Sequence, residues 1–197
     1  MNQPAPMPPC LRSTFWCSFP FLVCRSAIVT QPAIFVTELA LGYTLVDYGV
    51  RPAGLAGHSI GEFVAATLAG VFSEADALEL IATRAKLSAQ APPGRMLAVN
   101  TDEATAAAAA AAATAKGDQL WVAVLNAAGR QVVAGEPNAV ERASADLTAR
   151  GIKNRPLPVS RAYHTPLMAE AQAALSSLLE RMALVAPSTP LCCNGTG

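Results

Sequence analysis

The stretch Ala53-Gly54-Leu55-Ala56-Gly57-His58-Ser59-Ile60-Gly61-Glu62-Phe63-Val64 constrains this chain more than any other. A short apolar run enters Gly57-His58-Ser59-Ile60-Gly61, and a helix-forming run, Glu62 to Leu68, leaves it. This is G-x-S-x-G in the order strand, sharp turn, helix, the setting in which the pattern holds a strained nucleophile. Its two glycines let backbone and helix approach closely on either side of that residue. Ser59 is then expected at the carboxyl end of a strand with its hydroxyl exposed. The backbone N–H of Ile60 is expected at the helix start, where unpaired N–H groups and the dipole favour a developing oxyanion. An ordinary strand-to-helix turn remains the alternative, because Gly and Ser are common turn residues.

Composition narrows the partners. The chain has 197 residues, 52% hydrophobic and 14% charged, with zero net charge. That speaks against nucleic acid or an anionic membrane surface as the main partner and fits an α/β protein with buried strands. Five cysteines, at 10, 17, 24, 192 and 193, sit at the two ends without C-x-x-C spacing. With two histidines in the chain, no metal site is expected. An odd count without a framework suggests reduced thiols and a cytoplasmic location. Residues 1–30 read as a poorly ordered or non-native leader. Their apolar patch, Phe15 to Cys24, is broken by Pro20 and too short to span a membrane. Arg12 precedes the patch as in a signal peptide, but no small-x-small cleavage site follows.

The remaining elements follow from caps and periodicity. Thr30-Gln31-Pro32 reads as a helix start, with Thr30 as N-cap, and Gly49 as the helix end. Ser73-Glu74-Ala75-Asp76 caps a long helix, Glu74 to about Gln90, and Ala91-Pro92-Pro93-Gly94 is a hinge. After the hinge the pattern becomes strand Arg95 to Val99, helix Asp102 to Ala115 and strand Leu120 to Leu125. A turn from Asn126 to Arg130, strand Gln131 to Ala134, helix Pro137 to Arg150 and strand Asn154 to Val159 complete the run. That order, βαββαβ, is a ferredoxin-like unit over residues 94–159. Thr165-Pro166 opens a helix from Leu167 to about Leu184, and Pro190 to Cys193 reads as a strand. Residues 31–93 and 160–197 therefore form parts of one α/β core around the inserted unit.

Ser59 needs a base, and the chain offers His58 and His164. Neighbours leaving a strand point to opposite sides, so His58 reaches the Ser59 hydroxyl poorly and His164 is the better base. A capping or packed histidine ahead of a helix is the alternative for His164. Arg84 lies on the mostly apolar stretch Leu78 to Leu87. It could clamp a substrate carboxylate with two parallel hydrogen bonds, although alone it reads as a solvated helix face. No acid for a full triad is evident.

Together these pieces resemble the acyltransferase domains of modular polyketide synthases and malonyl-CoA:acyl carrier protein transacylases. The resemblance runs from about Gln31 to Gly197. It rests on Gly57-His58-Ser59-Ile60-Gly61-Glu62, Arg84, Asn126 with Val132-Val133-Ala134-Gly135, and Ser160-Arg161-Ala162-Tyr163-His164-Thr165-Pro166-Leu167-Met168. It implies an α/β-hydrolase-like core of parallel strands carrying a nucleophile elbow. It implies that Ser59 takes the acyl group from coenzyme A, that His164 is general base and acid, and that Arg84 pairs with the free malonyl carboxylate. His58, Ile60, Tyr163, Gln31 and Asn126 become pocket or specificity positions. The partners implied are malonyl-CoA, an acyl carrier protein and further polyketide synthase domains. No bound cofactor is implied: the coenzyme A thioester is substrate, and phosphopantetheine belongs to the carrier protein.

The family begins with a Gly-Gln-Gly loop that residues 1–30 do not contain, and it continues beyond residue 197. The chain is therefore expected to be an N- and C-terminally truncated fragment. In the family a backbone carbonyl orients the histidine, which accounts for the missing acid. Two other readings stand beside the transferase: a serine hydrolase or thioesterase of the α/β type, and an inactive fragment. Ile60 and Tyr163 match the malonyl form of the family, with a branched aliphatic after the nucleophile and a ring before the histidine.

Overall fold

A computed structural model describes residues 26–194. Helix α1 spans Ala27–Asp47, followed by strand β1 (Leu55–Ala56), helix α2 (Ile60–Leu68) and helix α3 (Glu74–Gln90). Then come β2 (Arg95–Val99), α4 (Glu103–Thr114), β3 (Leu120–Ala127), β4 (Arg130–Gly135), α5 (Pro137–Ala149) and β5 (Asn154–Pro156). A 3₁₀ turn (Pro166–Met168), α6 (Ala169–Leu179) and β6 (Leu191–Cys192) complete the order.

Two sheets result. β1 pairs in parallel with β6, Leu55 opposite Leu191. The second sheet has the order β3-β4-β2-β5, every neighbouring pair antiparallel. Alternation along its strands buries both faces. Leu97, Val99, Leu120 and Val133 pack under α4 and α5 with Ala106, Val140 and Leu147. Met96, Val132 and Ala134 face the other way, onto Ala162 and Leu157. A separate helical core joins Phe35 and Leu39 of α1, Val64 and Ala66 of α2, Leu80 and Ile81 of α3, and Leu178 of α6.

Several boundaries differ from the sequence reading, each for a local reason. α1 starts at Ala27 with Ser26 as N-cap, because the Ser26 carbonyl already accepts from the N–H groups of Val29 and Thr30. Thr30 is therefore inside the helix and not its cap, and Pro32 is also interior. The bond Pro32 cannot make would fall at Ile28, an exposed residue in the first turn. Residues 26–30 thus belong to the fold, while residues 1–25 and 195–197 lie outside the described residues. β3 continues through Asn126 and Ala127, so Asn126 sits in a strand and not in the turn. Two register irregularities opposite β4 accommodate the extra length. β5 stops at Pro156 because Pro156 and Pro158 offer no N–H to the ladder. The helix after His164 opens as a 3₁₀ turn and ends at Leu179. Beyond it the backbone is recruited elsewhere: Val185 N–H donates to Val71 O and Ser188 N–H to Ala69 O.

α1 is long and apolar enough to cross a membrane, with 21 residues and a mean hydropathy of 1.3. In this fold it packs against α2 and α3 and turns the buried Gln31 onto a side chain of α3. On one flank of that buried stripe it exposes Leu41 and Leu45, and on the other Val36.

Candidate active site

The elbow is a strained turn. Ser59 has φ 55° and ψ −106°, backbone that an L-residue keeps only where its surroundings fix it. Gly57 is the position that permits the turn. A Cβ there would lie 2.0 Å from the carbonyl carbon and oxygen of Gly61 and 2.3 Å from the Glu62 nitrogen. Gly61 is less demanding, since a Cβ there would meet only a Glu38 carboxylate oxygen, at 3.5 Å. The sequence reading assigned this role to both glycines, and the backbone assigns it to Gly57. Ser59 caps α2 without using its side chain, so the hydroxyl stays available. Glu62 N–H donates to Ser59 O and Gly61 N–H to His58 O. The N–H of Ile60, first residue of α2, lies at the positive end of the helix dipole.

His164 follows β5 through the loop 157–165 and also has positive φ, 61°. Its Nε2 lies 3.1 Å from Ser59 Oγ, 105 residues away in sequence. Part of the residue faces solvent, but the ring is partly withdrawn from water. That desolvation first, then the Arg84 charge and the electrostatic influence of His58, lowers its pKa from the ordinary 6.5, with Glu62 opposing. A neutral imidazole at neutral pH can accept a proton from Ser59.

Arg84 lies on α3 with its guanidinium 5.9 Å from the centroid of the Phe63 ring. Burial lowers its pKa from the ordinary arginine value, with Tyr163 opposing. Its Nη1 donates to Gln31 Oε1 at 2.5 Å, and Gln31 Nε2 faces the Tyr163 hydroxyl at 3.5 Å. Among the described residues the ion pairs are Arg95–Glu141, Arg142–Asp118 and Arg150–Asp146, and none involves Arg84. A half-buried guanidinium answered by an amide oxygen is matched to an incoming carboxylate.

A cavity of about 320 Å³ gathers these groups. Gln31, His58, Ser59, Ile60, Arg84, Asn126, Tyr163 and His164 all line it, so every site position named from sequence reaches one space. Its apolar wall, Met96, Val124, Val132, Leu157 and Val159, was not anticipated. The period-2 alternation of β2 and β4 carried that signal, since Met96 and Val132 had to face away from Leu97 and Val133. Among the described residues no group of three or more His, Cys, Asp or Glu side chains is placed to hold a metal ion.

Comparison with known proteins agrees with this architecture. Residues 23–193 match the family model described as acyl transferase domain, reaching further toward the N-terminus than Gln31. The chain is 39% identical over 161 residues to the polyketide synthase GfsB of Streptomyces halstedii, covering 81% of this chain and 3% of that protein. It is 39% identical over 171 residues to the malonyl CoA-acyl carrier protein transacylase of Escherichia coli (strain K12), covering 84% of this chain and 55% of that protein. The crystal structure of the acyltransferase domain from the second module of the salinomycin polyketide synthase superposes with a TM-score of 0.80 at 38% identity, over 88% of this chain and 40% of that one. FabD from Acinetobacter baumannii superposes with a TM-score of 0.82 at 31% identity, over 85% and 55%. The chain thus spans about half, or much less, of the proteins it matches. With the family model matched across nearly all its described residues, the chain belongs to the acyl transferase domain family.

Proposed function

We propose that this chain carries the site of an acyltransferase that takes a malonyl unit from coenzyme A onto Ser59. From there the unit passes to the phosphopantetheine thiol of an acyl carrier protein, in polyketide or fatty acid biosynthesis. The observation that carries the reading is Arg84, a half-buried cation with no acidic partner among the described residues, in one cavity with the Ser59–His164 pair.

In this reading Ser59 Oγ attacks the thioester carbonyl carbon and its proton passes to His164 Nε2. The Ile60 N–H donates to the oxyanion that forms. The carbon–sulfur bond then breaks, and the coenzyme A sulfur leaves with the proton from His164. The carrier thiol repeats the steps in reverse, giving its proton to His164 as its sulfur attacks the acyl carbon and returning Ser59 free. Arg84 holds the malonyl carboxylate throughout, its fork presented by Gln31.

The same proposal gives β1, β6 and their helices to an α/β-hydrolase-like core, residues 31–93 and 160–197. The four-stranded unit, residues 94–159, is the inserted ferredoxin-like subdomain. Its strand order β3-β4-β2-β5 supports that reading. We assign the chain a cytoplasmic location with the biosynthetic relatives.

The test is intact-protein mass after incubation with malonyl-CoA. An acyl adduct is expected on the wild type and none on Ser59→Ala. Failure of the wild type to acylate, or a persistent adduct on Ser59→Ala, overturns the reading.

A further inference from the structure

We propose that Arg161 is a positioning residue, which keeps His164 within reach of Ser59 by tying the histidine loop to the carboxyl end of α3. The left-handed conformation of His164, φ 61°, persists only where the surrounding chain over-determines it. Besides the Gln31–Tyr163 contact and the Met168 N–H bond to Thr165 O, three ties hold residues 160–165. Thr165 Oγ1 donates to Ala162 O at 2.6 Å. Gly94 N–H donates to Ser160 O at 3.2 Å, and a Cβ on Gly94 would lie 2.5 Å from the Ala162 nitrogen.

The third tie is the guanidinium of Arg161. Its Nε donates to Ser88 O at 3.2 Å, Nη2 to Ala89 O at 2.5 Å and Nη1 to Ser160 O at 2.8 Å. Ser88 and Ala89 lie in the last turn of α3, where carbonyls have no N–H of their own helix to accept from. The fork satisfies them and sets a cation at the negative end of the helix dipole. Arg84 sits one turn upstream of Ser88 on the same helix. Arg161 therefore registers the base against the helix that carries the carboxylate clamp. It does so from outside the cavity that holds Ser59, which its side chain does not line.

The inference rests on Ser59 and His164 acting as nucleophile and base, and the test separates the two ideas. The chain is treated with a fluorophosphonate: Ser59 Oγ bonds to phosphorus, fluoride leaves, and the serine proton passes to His164. Intact mass against time yields a rate constant and a final occupancy. Arg161→Met is expected to label about 10–100-fold more slowly with full final occupancy, because a displacement on the order of 1 Å at a reacting pair costs about 100-fold. Arg161→Lys keeps the charge and gives up the fork, so it is expected to fall between Met and wild type. A Lys variant as fast as wild type overturns the inference, and so does a Met variant with an unchanged rate constant. A fall in final occupancy at constant rate marks a residue that only stabilises the fold, and overturns it as well. A wild type that does not label removes the serine–histidine pair itself, and the inference with it.

Discussion

Gln31 Oε1 accepts a hydrogen bond from Arg84 Nη1 at 2.5 Å, joining α1 to α3 at the wall of the site. The amide oxygen satisfies part of the fork without neutralising it, so the cation remains open to a carboxylate. Arg84→Ala is expected to cut malonyl transfer to Ser59 far more than acetyl transfer, which has no carboxylate to lose. A hydrogen bond to a charged group contributes about 1.5–3 kcal/mol, so the malonyl-to-acetyl rate ratio should fall about 10–150-fold. Gln31→Glu should lower the same ratio while leaving Arg84 in place, because it supplies an internal carboxylate. Equal losses on both thioesters in both variants would make Arg84 and Gln31 structural.

The pH dependence follows from His164. Its pKa lies below the ordinary 6.5, through desolvation first and then Arg84 and His58. Acylation of Ser59 needs the neutral ring, so the rate should rise with pH along an acid limb centred below 6.5. Arg84→Gln removes one depressing charge and should move that limb upward. Stability shares the sign: between the folded value and the ordinary 6.5 the unfolded chain holds more protons on this histidine. The contribution is complete above 6.5 and lost as the pH falls through the folded value. A limb centred above 6.5 in the wild type would contradict the assignment of His164 as the free-enzyme base.

What was legible from sequence was local. The start of α3 at Glu74 follows from Ser73, whose hydroxyl accepts from the Asp76 N–H. β2, Arg95–Val99, is set off by the Pro-Pro-Gly hinge and the alternation after it. In the site, the elbow motif singled out Ser59, and the scarcity of histidines left His164 as its partner. What stayed hidden was non-local. No periodicity links Gln31 to Arg84 or Arg161 to Ser88, because those contacts exist only after the helices and the loop have packed. The extended β3 was equally out of reach, since its irregularities answer to β4 and not to its own residues.

Gly57 is the least replaceable residue of the turn. Gly57→Ala places a methyl group 2.0 Å from backbone atoms of Gly61, which cannot swing aside as a side chain would. Destabilisation of about 3 kcal/mol or more is expected in urea unfolding, together with loss of Ser59 labelling. Gly61→Ala is expected to cost far less stability. Comparable midpoints for the two variants would place the strain elsewhere in the elbow.

The exposed apolar side of α1 bears on handling the chain. Leu41 and Leu45, one turn apart on the same flank, are 59% and 45% exposed. Such a patch promotes association. Leu41→Glu with Leu45→Lys, an i,i+4 pair of opposite charge, should raise soluble yield and suppress concentration-dependent association in analytical ultracentrifugation. The buried residues of α1, Gln31, Phe35 and Leu39, are left untouched, so Ser59 labelling should not change. A loss of labelling in the double variant would mean that Leu41 or Leu45 itself supports the site.

In the proposed function, Tyr163 and Ile60 are the positions expected to select the extender unit. Both line the cavity with Ser59 and Arg84, and Tyr163 stands beside Gln31, the amide that presents the arginine fork. A malonyl unit bound through Ser59 and Arg84 has its α-carbon between those two anchors. A methyl on that carbon must find room against whichever side chains close the gap. The Tyr163 ring fills such space, and a serine at that position would leave it empty. Tyr163→Ser should therefore raise methylmalonyl acylation relative to malonyl. One methyl in an apolar pocket is worth about 1–3 kcal/mol, so the wild-type preference for malonyl is expected at roughly 10–200-fold. The serine variant should lose most of it. Because Tyr163 also touches Gln31, some malonyl rate should be lost too, and Tyr163→Phe separates the effects. Phenylalanine keeps the ring and removes the hydroxyl, so it should retain the malonyl preference. Competitive acylation by the two thioesters, read as the ratio of adduct masses, decides the matter. A wild type that favours methylmalonyl-CoA, or a serine variant no less selective than the phenylalanine one, would remove Tyr163 as the steric gate.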